Sequence, residues 1–185
     1  MTAKNAHLRK YVVFGLIVLG VWAGTTFLKG RLAAYPTGIL TYFCTNAVLA
    51  LSWNLVSGFT GQFSLGHAGF MAVGAYTSAL LMMRLKLPFL VAFSGGGLMS
   101  GLVGFLVGFP SLRLVGDYLS VVTLGFQYII TAILNNTTPL TGGGLGLAGV
   151  PYRTTLPTAA VTLTITVWVL SNLVNSKQGR CFVAV

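Results

Sequence analysis

Residues 51–81 read LSWNLVSGFTGQFSLGHAGFMAVGAYTSALL. The surrounding sequence is strongly apolar, yet this stretch carries Asn54, Ser57, Thr60, Gln62, Ser64 and His67, punctuated by Gly58, Gly61, Gly66, Gly69 and Gly74. In lipid, polar side chains and helix-breaking glycines are costly. Irregular backbone persists there only where protein shields it or where it lines a polar cavity. The stretch therefore predicts a glycine-rich helix break at 58–69 within an all-α membrane protein. A surface loop between helices is the bland alternative. The absence of charge from the stretch favours burial, because loops elsewhere in the chain generally carry Lys or Arg.

Composition points to the same solvent. The chain has 185 residues, 55% hydrophobic and 6% charged, against about 25% charged in a soluble domain. A chain this short cannot hide so much apolar surface in one core. Net charge is +10, with eleven Lys and Arg against one acid, Asp117. The cations stand singly between apolar runs, a pattern of anchoring at the bilayer surface rather than of nucleic-acid binding. Cys44 and Cys181 lie far apart and in no metal-binding spacing, so both read as structural thiols.

Outward from the break, six apolar segments predict a polytopic integral membrane helix bundle: 11–28, 37–57, 69–83, 88–109, 121–134 and 156–174. The first follows a basic stretch, as a signal peptide does. It is longer than the usual apolar core of about 7–15 residues, and no A-x-A site follows, which favours a retained helix. The third is short for a bilayer core of about 30 Å. Six crossings would put both termini on one side, with Lys4, Arg9, Lys10, Arg113, Lys177 and Arg180. Lys29, Arg31, Arg84, Lys86 and Arg153 would lie opposite, too even a division to set orientation. In the fourth segment Gly97, Gly101, Gly104 and Gly108 share a helical face, which predicts tight packing against a neighbouring helix.

Within the break, an unwound turn would turn free backbone groups towards a polar path, as in transporters. Asn54, Gly58, Gln62, Ser64 and His67 are the candidate pathway residues, with Phe63, Leu65 and Phe70 as apolar surface. A lone His without a second His, Cys or acid nearby cannot make a zinc site, so a structural hydrogen bond is the simpler role for His67. Asp117 has Arg113 four residues before it and reads as an interfacial ion pair. The G-x-G-x-x-G at 144–149 follows no strand and leads into Val-Pro-Tyr, so it fails as a dinucleotide motif. No G-x-x-x-x-G-K-[ST] occurs, which excludes ATP binding through a P-loop. No catalytic constellation, metal site or cofactor site is expected.

Ser52-Trp-Asn-Leu55 followed by GFTGQFSLGHAGFMAVGAYTSALL resembles the permeases of branched-chain amino acid ABC transporters, the LivH/LivM permease family, and is most similar to its LivM-type members. Three later stretches agree, in the family's order. Residues 113–126, RLVGDYLSVVTLGF, resemble R-L-x-G-x-Y-x-x-x-x-T-L-x-F. Residues 141–151, TGGGLGLAGVP, resemble T-G-G-x-x-G-L-x-G-I-P. Residues 176–185, SKQGRCFVAV, resemble the opening of the cytoplasmic coupling segment, with Gly179 and Arg180 as its Gly-Arg.

The resemblance implies half of a translocation pathway for branched-chain amino acids. It implies a second, LivH-type permease subunit, two ATP-binding cassette subunits that hold the ATP, and an extracytoplasmic substrate-binding protein. It places the chain in a bacterial inner membrane with a cytoplasmic N-terminus. The implied organisation is a basic cytoplasmic stretch at 1–10, a transmembrane permease domain at 11–174 and the start of the coupling segment at 175–185. Two departures stand out. The family commonly has Gly-Glu and then Arg after T-L-x-F, whereas this chain has Gln127-Tyr128 and Thr131. The family also continues past the position of Val185 through an acidic coupling helix and further spans, which predicts a truncated form unable to drive uptake alone. A urea or short-amide ABC permease, and a non-transporting membrane subunit, are the alternatives. A secondary carrier is disfavoured by the scarcity of acids.

Overall fold

The apolar runs form helices in the computed structural model, which describes residues 3–111, 114, 116–176 and 179, with backbone alone for 3–12, 110 and 117. The helices are α1 (Ala3–Arg31), α2 (Ala34–Asn54), α3 (His67–Arg84), α4 (Phe89–Ser111), α5 (Asp117–Asn136), the single turn α6 (Thr138–Thr141) and α7 (Leu156–Val174). The six expected segments correspond to α1–α5 and α7. No strand occurs among the described residues. Arg113, Lys177, Arg180 and the side chain of Asp117 lie outside the described residues, and the expected Arg113–Asp117 pair with them.

Five stretches are long and apolar enough to cross a bilayer: Val13–Arg31, Ala34–Phe59, Phe89–Phe109, Tyr118–Asn136 and Leu156–Val174. This is a multi-pass membrane protein. The exception among the long helices is α3, whose 18 residues rise about 27 Å against a hydrocarbon core of about 30 Å. Large apolar side chains cover the outside of the helices, Leu98 at 76% exposed and Phe105 at 71% among them. In water such a surface would be an aggregation liability; in lipid it faces a solvent as apolar as itself.

The break is real and slightly displaced. α2 widens into a π-helical turn at Leu55–Phe59, residues 60–66 are non-helical, and α3 resumes at His67. Gly61 takes a left-handed φ of 67°, open to glycine at no steric cost. Gly69, expected in the break, lies inside α3. Its missing side chain serves packing: a Cβ there would meet Ile130 Cδ1 at 3.2 Å and Gln127 Cα at 3.3 Å on α5.

The chain divides into two units, Met1–Leu55 with Thr154–Val185, and Val56–Arg153. In the first, α7 packs against both α1 and α2. Its small residues Ala159 and Ala160 are buried with Cys44 of α2 and pack on Val21 of α1. Small side chains let helices approach closely in lipid, where no hydrophobic force draws them together. Phe14 stacks on Trp168 with centroids 4.4 Å apart. A capping box between Thr155 and Thr158 starts α7, and Thr162, Thr164 and Thr166 donate their hydroxyls to carbonyls one turn back.

In the second unit the main contact is α3 against α4. Its closest point is not the expected glycine stripe. A Cβ built on Gly97, Gly101, Gly104 or Gly108 meets nothing within 4 Å, whereas one on Gly96 would sit 2.5 Å from the Gly74 carbonyl oxygen. The face turned to α3 is the neighbouring stripe of Ala92, Gly96 and Ser100, with Ser100 Oγ donating to Phe70 O at 2.8 Å. Two small-residue stripes run side by side on α4, and spacing alone does not say which of them meets α3.

The turn from α3 to α4 passes through Lys86, whose φ of 52° is the one left-handed value outside glycine among the described residues. That conformation costs a side-chain-bearing residue about 1–2 kcal/mol. A cation beyond a helix C-terminus returns about 0.3–1 kcal/mol through the helix dipole. Local energetics therefore favour Gly at position 86. Arg84 Nη2 donates to Pro139 O at 2.8 Å, tying the end of α3 to α6. The glycine-rich segment after α6 folds back tightly: Thr141 Oγ1 donates to Leu134 O at 2.5 Å and accepts from Gly143 N at 3.3 Å.

Candidate functional site

A non-helical strip within a helical unit leaves backbone N–H and C=O groups that must find partners. Two hydroxyls of α5 supply partners for two of them. Leu65 N donates to Thr123 Oγ1 at 3.1 Å, and Ser120 Oγ donates to Phe63 O at 2.6 Å. Thr123 Oγ1 in turn donates to Ser120 O at 3.0 Å. Ser120 and Thr123 are spaced i, i+3, so one face of α5 grips the strip. Closer in sequence, Ser57 Oγ donates to Gln62 O at 3.2 Å, and Thr60 Oγ1 bonds to Val56 O. Gly66 allows the approach, since a Cβ there would lie 3.1 Å from Thr123 O.

A cleft of about 170 Å³ opens between this strip, α4 and α5. Gln62, Ser64, His67, Ser111 and Thr123 give it a polar side. Val56, Phe70, Val107 and Leu119 give it an apolar side, and Gly104 and Gly108 leave room along α4. Ser64, Ser111, Thr123, Val107 and Leu119 are buried; Gln62 is exposed and His67 half-buried. The walls are fixed by hydrogen bonds within the protein: Ser111 Oγ donates to Val107 O at 2.6 Å, and Thr123 is held as described.

The structure thus brings together Gln62, Ser64 and His67 of the expected pathway residues, with Phe70. It does not bring in the others: Asn54 is exposed at the end of α2 in the first unit, Gly58 is exposed in the π-helical turn, and Phe63 and Leu65 turn outward at 50% and 38% exposed. Gly104 and Gly108, expected to pack against a helix, line the cleft instead, while Gly97 and Gly101 are exposed on α4. Sequence reasoning missed Ser111, Ser120 and Thr123. Their signal was hydroxyls in apolar helices, and for the last two an i, i+3 spacing. Gly179 donates its N–H to Ser176 Oγ at 3.0 Å, and Arg180 lies outside the described residues. No group of three or more His, Cys, Asp or Glu among the described residues could hold a metal ion.

The profile described as "Branched-chain amino acid transport system / permease component" matches residues 35–185. The chain belongs to this permease family. The family is one of transport components, not of enzymes. Two of its relatives are the high-affinity branched-chain amino acid transport system permease proteins LivM of Escherichia coli K12 and Salmonella typhimurium LT2. The first is 48% identical over 147 residues, 79% of this chain and 33% of the relative. The second is 48% identical over 154 residues, 83% of this chain and 36% of the relative. The chain thus spans about a third of the length of these family members. No solved structure matches it.

Proposed function

We propose that the chain forms part of the translocation pathway of an ABC importer for branched-chain amino acids, and that the cleft beside the helix break contacts the passing substrate. The observation carrying this reading is a cleft with two chemically distinct sides, in a chain 48% identical to permeases named for branched-chain amino acid transport. A zwitterion with an aliphatic side chain needs dipoles at one end and apolar walls at the other. Gln62, Ser64 and His67 meet the first need, and Val56, Phe70, Val107 and Leu119 the second. The volume is adequate, since an apolar cavity of about 150 Å³ accommodates a benzene-sized molecule. The apolar walls favour this cargo over urea or a short amide.

Energy enters from elsewhere in this reading. No P-loop occurs in the chain, so two ATP-binding cassette subunits bind the ATP and bias an alternating-access equilibrium. A LivH-type permease supplies the other half of the pathway, and an extracytoplasmic binding protein delivers the ligand. The chain sits in the inner membrane with 1–10 cytoplasmic, 11–174 as the permease domain and 175–185 opening the cytoplasmic coupling segment around Gly179 and Arg180.

Uptake of labelled leucine by the assembled transporter is the test. Gln62→Ala with Ser64→Ala lowers uptake about tenfold or more, equivalent to about 1.4 kcal/mol of lost interaction, while membrane insertion stays normal. Unchanged uptake removes the cleft from the pathway. Uptake of urea in place of leucine overturns the cargo.

A further inference from the structure

A second cleft, of about 420 Å³, lies at the end of α3 and the start of α4, lined among others by Lys86, Arg153, Met82, Leu87, Phe89 and Pro151. Two cations from segments far apart in sequence converge on it. The chain has a single acidic residue, Asp117, which begins α5, whereas this cleft lies beyond the opposite end of that helix. α3 closes through Arg84 on Pro139, three residues past Asn136, where α5 ends. The 20 residues of α5 separate its ends by about 30 Å, several times the screening length for exposed charges at physiological salt. The described side chains include no carboxylate, so among them nothing negative neutralises the pair. Lys86 also stands where the backbone favours glycine, at φ 52°, and the helix dipole returns less than that conformation costs. The first turn of α4, at Phe89, adds the positive end of a 23-residue helix.

We propose that this cleft binds the phosphate of an anionic phospholipid, with Lys86 and Arg153 on the headgroup and the acyl region along Met82, Leu87 and Phe89. The apolar wall selects a lipid over an acidic protein surface: a phosphodiester carrying hydrocarbon uses both sides of the cleft, a carboxylate-rich peptide only one. The site lies at the membrane edge of two long helices, where cations attract anionic headgroups. It is distinct from the break-side cleft and does not depend on what that cleft transports.

The test is native mass spectrometry of the purified 185-residue chain titrated with phosphatidylglycerol or phosphatidylcholine. The expected result is preferential retention of phosphatidylglycerol, reduced about fivefold by Lys86→Gln and by Arg153→Gln, and further in the double variant. Lys86→Arg retains the lipid. Lys86→Gly removes the charge while supplying the residue the turn favours, so it loses the lipid yet melts no lower than the unsubstituted chain. Equal retention by the double variant and the unsubstituted chain overturns the proposal, as does equal binding of the two lipids. Displacement of the lipid by inorganic phosphate alone, regardless of acyl chain length, assigns the site to a free anion and overturns the lipid reading. Capture of an acidic protein without any preference between lipids overturns it in favour of a protein partner.

Discussion

At the scale of single residues, the cleft beside the break rests on groups that do different work. Gly104 and Gly108 have open space where a Cβ would stand and line the cleft. Gly108→Val is therefore expected to fold normally, fill part of the cleft and reduce leucine uptake more than alanine uptake. Competition assays with the two amino acids check this, and an equal loss for both would remove Gly108 from substrate selection. Thr123→Val leaves Leu65 N–H without its acceptor. It is expected to lower stability by about 1 kcal/mol and to speed hydrogen exchange at Leu65, measured by thermal unfolding in detergent and by exchange mass spectrometry. Gln62, Ser64 and His67 were legible because polar side chains among apolar ones need a reason to be there. Ser120 and Thr123 were not, because a hydroxyl in a membrane helix ordinarily bonds its own preceding turn. Only the fold shows that Ser120 and Thr123 reach across to Phe63 and Leu65.

The elements show where periodicity carries information and where it stops. Long apolar runs gave all six long helices, and the glycine-rich stretch gave the break to within a few residues. The restart at His67 was not legible, since Gly69 reads equally as a breaker or as a packing surface, and α5 decides. The same ambiguity attends α4. Its rows of small residues are equivalent on paper, and the Gly74 carbonyl selects Gly96. Gly96→Val is expected to destabilise the α3–α4 pair by about 1–3 kcal/mol, the range for overpacking a close contact. Gly97→Val, with nothing within 4 Å of its Cβ, should be near neutral. Unfolding midpoints of the two variants in the same detergent make the comparison, and equal effects would contradict the packing described.

Across the whole molecule, composition was enough to place the chain in lipid. The grouping of its first 55 residues with those after 153 was not legible, because it depends on which helices meet far along the chain. Membrane placement makes a labelling prediction for a cysteine-free background. Lys86→Cys and Arg153→Cys, which share one cleft, should react with an impermeant maleimide from the same side of the membrane. Leu98→Cys, midway along α4, should resist it from both sides. Reaction of the first two from opposite sides would exclude the described turn. The non-helical strip has a mechanical consequence of its own. Two of its ties to α5 are the side-chain hydroxyls of Ser120 and Thr123, so rotating two χ1 angles undoes that pair without unwinding a helix. At about 1 kcal/mol for each bond, that latch lies within thermal reach, and a small sliding of α5 would carry the cleft wall along or let it go.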